Sequence, residues 1–180
     1  MKKLLVVLTG AVGAGKSTTA LALAVHLRGL GRTAAAIDLD QVYCMVRQGE
    51  GFDDLENWNA ARRATAALAD SFFNSGMNVV IVEGEFFAPG DRSQLHDSLG
   101  SEVEKMHFAL LVSYDEALRR ARGDSTRGKS QDPKFLKQLH DNFVKALPYL
   151  ESASVVVPAD SRTPEEIAAL IVEDVPAGLA

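Results

Sequence analysis

The sequence predicts an α/β fold in three layers, a parallel sheet with helices on both of its faces. Short apolar runs rich in β-branched residues alternate with longer helical patterns, the rhythm of parallel strands joined by crossover helices. Those runs are mostly unbroken rather than alternating, as strands are when both faces of their sheet are covered. At 180 residues, against about 150 per domain, the chain suits one compact unit, residues 1–180, with room for five strands.

The first strand is read over Lys3–Leu8. Met1-Lys2-Lys3 and the run after it have the outline of a secretory leader, but the run stops at Thr9-Gly10, in a motif the mature protein needs. Nowhere does the chain approach the ~18 apolar residues that span a bilayer. A helix over Lys16–Gly29 leads to a second strand, Thr33–Asp38. An insert, Gln41–Trp58, and a helix over Leu55–Ser75 then fill the stretch 41–76, and Gly76 can end that helix in a left-handed conformation. The third strand is Asn78–Glu83 and the fourth Met106–Val112, followed by a helix over Asp115–Arg122. Gly123–Asp132 is polar and glycine-bearing, a mobile loop that makes 119–132 a candidate lid. Asp132 can cap a helix over Pro133–Leu147, whose first residue has no amide hydrogen to leave unpaired. The last strand, Ser154–Val157, leads to a helix over Pro164–Val172, with Thr163 as cap and Glu166 three beyond it. The tail from Val175 reads as frayed, and no internal repeat occurs.

Hydrophobic residues make up 47% and charged residues 24%, which excludes a disordered chain or a rod. The net charge of −5 gives no overall attraction to nucleic acid, so a polynucleotide would need a local basic cleft. One cysteine, Cys44, cannot form an internal disulfide; a cytoplasmic setting is expected, with Cys44 a buried thiol.

Gly10-Ala-Val-Gly13-Ala14-Gly15-Lys16-Ser17 fits G-x-x-x-x-G-K-S/T between a predicted strand and a predicted helix, the context this phosphate-binding motif requires. Its glycines let backbone amides turn inward on an anion with no side chain between. The helix from Lys16 through Thr18 adds the positive end of its dipole. Lys16 can reach the outer phosphates and the Ser17 hydroxyl can bind Mg²⁺.

Ligands of open α/β sheets lie beyond the carboxyl ends of the strands, which puts Asp38 and Asp40 beside the cradle. Two apart in an extended chain, they would face one pocket while Leu39 faces away. One can hold metal-bound water and the other can take a proton from an attacking hydroxyl; alternatively Asp40 only caps the next helix. The third strand ends Val79-Val-Ile-Val-Glu83-Gly84-Glu85, which looks like a variant second nucleotide-site motif. Glu83 would orient Mg²⁺ through water, and Glu85 or Glu83 could contact the acceptor.

The cradle, these paired acids and the arginine-rich stretch Leu118-Arg119-Arg120-Ala121-Arg122…Arg127 together resemble the P-loop small-molecule and nucleotide kinases, such as shikimate, gluconate and adenylylsulphate kinases and the chloramphenicol phosphotransferase-like proteins. The resemblance runs from Leu4 to about Ile171. It implies the P-loop NTPase fold with strand order 2-3-1-4-5, ATP with Mg²⁺, and a closing lid. It also implies Asp40 at the acceptor hydroxyl and Asp38 nearer magnesium, with Arg119, Arg122 and Arg127 as lid arginines on the phosphates. Arg119 and Arg122 share a helix face by spacing, and Arg120 is expected on a solvated one. Pro158–Glu166 looks like the loop that brackets adenine in such folds.

For the acceptor pocket the candidates are Tyr43, Arg47, Trp58, Arg62 and Glu85. Trp58 and Arg62 lie one helical turn apart, with Arg63 rotated away; Leu55, Trp58, Thr65, Leu68 and Phe72 make an ordinary core stripe as well. The histidines have no metal-ligand spacing and receive no role. The expected function is ATP- and Mg²⁺-dependent transfer of the γ-phosphoryl group to a hydroxyl of a small molecule or nucleotide. The alternatives are a nucleotide-gated binding module or plain NTPase, and a polynucleotide or zeta-toxin-like kinase. No membrane association is expected, and the sequence leaves the oligomeric state open.

Overall fold

In the computed structural model, which describes residues 2–46, 54–125 and 128–175, five parallel strands form one sheet. They are β1 (Leu4–Gly10), β2 (Ala34–Asp38), β3 (Val79–Glu83), β4 (Glu104–Leu111) and β5 (Val155–Pro158), in the order β2-β3-β1-β4-β5. The order implied by the resemblance is the order found.

β1 is wholly buried, and its alternation divides the core. Leu4, Val6 and Leu8 pack with α1 (Lys16–Gly29), α6 (Pro133–Ala153) and α7 (Pro164–Asp174); Leu5 and Val7 pack with α2 (Leu39–Val46), α3 (Leu55–Asn74) and α4 (Pro89–Asp97). A central strand with helices on each side has no solvated face, which is why its sequence lacks polar alternation. α5 (Tyr114–Arg122) follows β4, and a short 3₁₀ turn covers Gly128–Gln131.

Local chemistry sets the helix ends. Asp132 accepts from the Lys134 amide at 2.9 Å. Thr163 and Glu166 make the reciprocal capping pair at 3.2 and 2.8 Å. Gly76 takes the left-handed φ of 95° after α3. Two helices, α2 and α4, lie where the sequence reading assigned no helix bounds. α2 turns Leu39, Val42 and Tyr43 inward, and α4 begins at Pro89 with Asp91 in its first turn. α6 continues through Pro148 to Ala153 because Leu150 beyond the proline is buried in the core. Cys44 is exposed rather than buried, since the inward face of α2 is taken by its neighbours.

β2 lies at one end of the sheet order. Arg28 of α1 donates to the Ala34 carbonyl there at 2.7 Å. His96 and His107 meet at a ring separation of 5.0 Å, and burial pushes His107 down to about 3, so both are neutral packing groups near pH 7. Among the described residues no helix is long and apolar enough to cross a membrane.

Candidate active site

The register assembles the site. Leu8 pairs with Glu83 and Asp38 pairs with Glu83, so the carboxyl ends of β1, β3 and β2 stand level. β1 then runs out at Gly10 into the loop 11–15, and α1 opens at Lys16. Gly13, at φ 85°, lies so close to α5 that a Cβ there would sit 2.7 Å from the Ala117 carbonyl oxygen. No L side chain fits that turn without displacing backbone. Lys16 Nζ donates to the Gly10 and Ala11 carbonyls at 3.0 and 3.4 Å, which keeps the cation against the loop. The Thr18 hydroxyl donates back to the Gly15 carbonyl at 2.9 Å, and Ser17 is exposed beside it.

Three carboxylates, Asp40, Glu83 and Glu85, feel Lys16, and Asp38 acts on the first two. β2 ends at Asp38 and the chain turns helical at once, so the two aspartates converge by a different route from the extended alternation expected. Asp38 is the cap of α2: its Oδ1 accepts from the Asp40 and Gln41 amides at 2.8 and 3.2 Å. Asp40 therefore sits in the first turn, with part of its surface exposed. Its recess desolvates it enough to raise its carboxyl above the usual range, with Lys16 opposing and Asp38 adding to the rise.

Glu83 is 3% exposed and its Oε1 has no hydrogen-bond partner. Burial raises it to about 7 against the pull of Lys16 and a hydrogen bond with Ser17. Glu85 is raised likewise, first by burial. Gly84 between them has a structural reason: a Cβ there would meet Leu39 Cβ at 2.8 Å, so only glycine lets α2 close over the strand end. The Phe86 amide donates to Thr9 Oγ1 at 3.1 Å, tying this segment to β1.

Ser17 and Glu83 offer oxygen donors of the kind a hard divalent cation takes, and the orphaned Glu83 oxygen has no other use among the described residues. No group of three or more His, Cys, Asp or Glu able to hold a metal occurs among them, so a cation here would draw its other ligands from phosphate and water.

On the acceptor side the structure corrects one expectation. Tyr43 is fully buried, stacked under Trp58 with ring centroids 4.0 Å apart, so it supports the wall and does not face a ligand. Trp58 is half-buried against the same core. Arg62 lies 5.8 Å from the Trp58 ring and forms an ion pair with Asp91 at 2.8 Å, its side chain 7% exposed. Asp91 also accepts from the Ala88 amide at 2.9 Å. Pro89 and Asp91 mark a helix start in the sequence, but nothing in that local pattern points to Arg62.

The arginines are redistributed. Arg119, expected at the phosphates, is 71% exposed and held by Glu116 at 2.6 Å, and Arg122 is exposed as well. Arg120, expected in solvent, donates to the Ala14 carbonyl of the phosphate loop at 3.0 Å and to Ala159 at 2.6 Å. α5 buries Ala117 and Ala121; Arg120 lies next to that stripe and Arg119 across the helix from it. Glu116 bonds both guanidiniums, Arg119 first, and is held down to about 2. Arg120, Arg162 and Pro164 line a hollow of about 220 Å³ together with Gly13, Gly15 and Thr18. Arg47 and Arg127 lie outside the described residues.

Residues 2–122 match the family model described as adenylylsulphate kinase. The crystal structure of APE1195 is similar over 99% of this chain and 98% of that one, with 22% identity and a TM-score of 0.69. Shikimate kinase from Acinetobacter baumannii in complex with shikimate is similar over 94% of this chain and 90% of that one, with 18% identity and a TM-score of 0.61. At these identities the likeness is one of fold. No curated protein sequence matches.

Proposed function

We propose, since this chain belongs to the adenylylsulphate kinase family, that it moves the γ-phosphoryl group of ATP to a hydroxyl of a small molecule or nucleotide, with Mg²⁺ beside the phosphates. The fold is that of the P-loop kinases, and phosphoryl transfer to a hydroxyl is the family's reaction. The observation that carries the finer reading is the recess in which Asp38, Asp40 and Glu83 act on one another while Lys16 acts on Asp40 and Glu83.

In this reading the acceptor oxygen attacks the γ-phosphorus as the bond to the β,γ-bridging oxygen breaks. ADP leaves, and the hydroxyl proton passes to Asp40, whose raised proton affinity suits a base. Lys16 and the loop amides hold the phosphates in line. Arg120 braces the loop and, with Arg162 and Pro164, frames the hollow for the nucleoside. Ser17, Asp38 and Glu83 would hold Mg²⁺, which when bound offsets charge on the phosphates. Residues 119–132 serve as the lid, 41–76 as the acceptor side, and the lone exposed thiol accords with a cytoplasmic setting.

The test is a transfer screen with labelled ATP over amino sugars, sugar acids, nucleosides and nucleotides. ATP turnover is expected to rise sharply with one acceptor class. Asp40→Asn should bind ATP as before while transfer drops by about 10² or more. Full activity in that variant moves the base to Asp38 or Glu83. Turnover indifferent to every alcohol, beside partner binding that needs ATP, replaces the kinase with a nucleotide-gated module.

A further inference from the structure

Two loops that are far apart in sequence meet beside the hollow, and one side chain bridges them. Ala14 belongs to the phosphate loop, whereas Ala159 and Arg162 belong to the segment between β5 and α7. Arg120 donates from Nη1 to the Ala14 carbonyl at 3.0 Å, and from Nη2 to the carbonyls of Ala159 and Arg162 at 2.6 and 3.4 Å. Its Nε edge donates to Glu116 Oε1 at 2.7 Å. Glu116 stands on the same footing as the second loop: its amide donates to Ser113 Oγ at 3.4 Å, and the Ser113 amide donates to Asp160 Oδ1 at 2.9 Å.

Carbonyl oxygens accept hydrogen bonds over a broad range of directions, so the two loops alone do not fix how the guanidinium lies. A carboxylate on Nε does. Because the guanidinium is a rigid planar fork, holding its Nε edge decides where Nη1 and Nη2 point, and the same carboxylate neutralises its charge. Glu116 lies one helical turn before Arg120, with the two side chains 14% and 19% exposed, so the pair is better shielded than a solvated one. Arg119 steadies the carboxylate from the solvent side, with bonds of 2.7 and 2.6 Å from a side chain 71% exposed. Resting on the reading above, the Ala14 end of this bridge meets the phosphates and the Ala159 end meets the nucleoside. We infer that Glu116 is a positioning residue for the nucleotide: by fixing the plane of Arg120 it sets the spacing between the two loops, so that a triphosphate and its nucleoside are received together. Glu116 touches neither and acts through Arg120. Only a ligand that fills both loops gains from that spacing.

The full chain is titrated by calorimetry with ATP and with inorganic tripolyphosphate, each with Mg²⁺. The unaltered chain is expected to bind ATP the more tightly. Glu116→Gln, which keeps the shape and removes the charge, should weaken ATP by about tenfold, the usual effect of losing a charge-assisted hydrogen bond, and leave tripolyphosphate within about twofold. A melting curve without nucleotide shows that the variant is folded; should it not fold, Glu116→Asp, with its carboxylate on a shorter arm, is measured instead and its loss is again confined to ATP. In an Arg120→Ala background the same Glu116 change should cost less than about twofold, since the partner it acts through is gone. ATP affinity unchanged by the Glu116 variant, an equal loss for both ligands, or a full tenfold loss repeated in the Arg120→Ala background overturns the role of Glu116 and leaves the kinase reading standing. Tripolyphosphate bound as tightly as ATP by the unaltered chain overturns the assignment of the hollow to the nucleoside, and binding of neither overturns the kinase reading as well.

Discussion

Glu83 closes β3 with a carboxyl oxygen that nothing among the described residues satisfies, and burial raises it to about 7 from 4.5. Between those values the folded chain holds a proton that the unfolded chain has released. The contribution of Glu83 to stability therefore declines as pH rises through that window, and the deficit persists above it. Glu83→Gln should raise the unfolding free energy at pH 8 by roughly 1–3 kcal/mol, with little change at pH 4 and reduced phosphoryl transfer. Equal gains at both pH values in denaturant titrations would show that buried charge is not the source. Such acids were legible in the sequence because a β-branched run ended on them. Asp91 was not, because its meaning depends on Arg62, almost thirty residues earlier, which only the packing of α3 on α4 brings within reach.

Among the elements, α5 shows how a spacing argument finds a helix and misplaces its faces. The arginines were read three apart, but the face turned inward is decided by the buried Ala117 and Ala121, of which Ala117 lies against Gly13 in the phosphate loop. Arg120→Ala is expected to raise KM for ATP by about tenfold, losing charged hydrogen bonds to two loops at once. Arg119→Ala, removing a solvent-exposed pair, should leave KM within about twofold. Steady-state kinetics of the two variants, with the order reversed, would restore the original assignment. α2 had its own signature, Leu39, Val42, Tyr43 and Val46 at helical spacing behind the capping Asp38. The polar, glycine-containing stretch after it obscured that signature.

Across the whole molecule, the alternation of apolar runs and helical patterns was enough to predict the parallel sheet, since a chain of this length has few other ways to cover both faces of five such strands. The acceptor chemistry was not legible in the same way, because Trp58 and Arg62 of α3 and Asp91 of α4 come from two separate segments and meet only in the folded chain. Nucleotide binding should be felt by the entire domain. At ATP near one hundred times its Kd, binding adds about 2.7 kcal/mol, roughly 5–10 °C in Tm for a chain of this length. Lys16→Ala should abolish that shift; a full shift in the variant would remove the phosphate loop from nucleotide binding. One further consequence follows from Arg28, whose guanidinium occupies the Ala34 carbonyl on β2. A second chain seeking to extend the sheet there would have to displace a cation from the acceptor it needs, so the fold discourages fibrous self-association at its own margin.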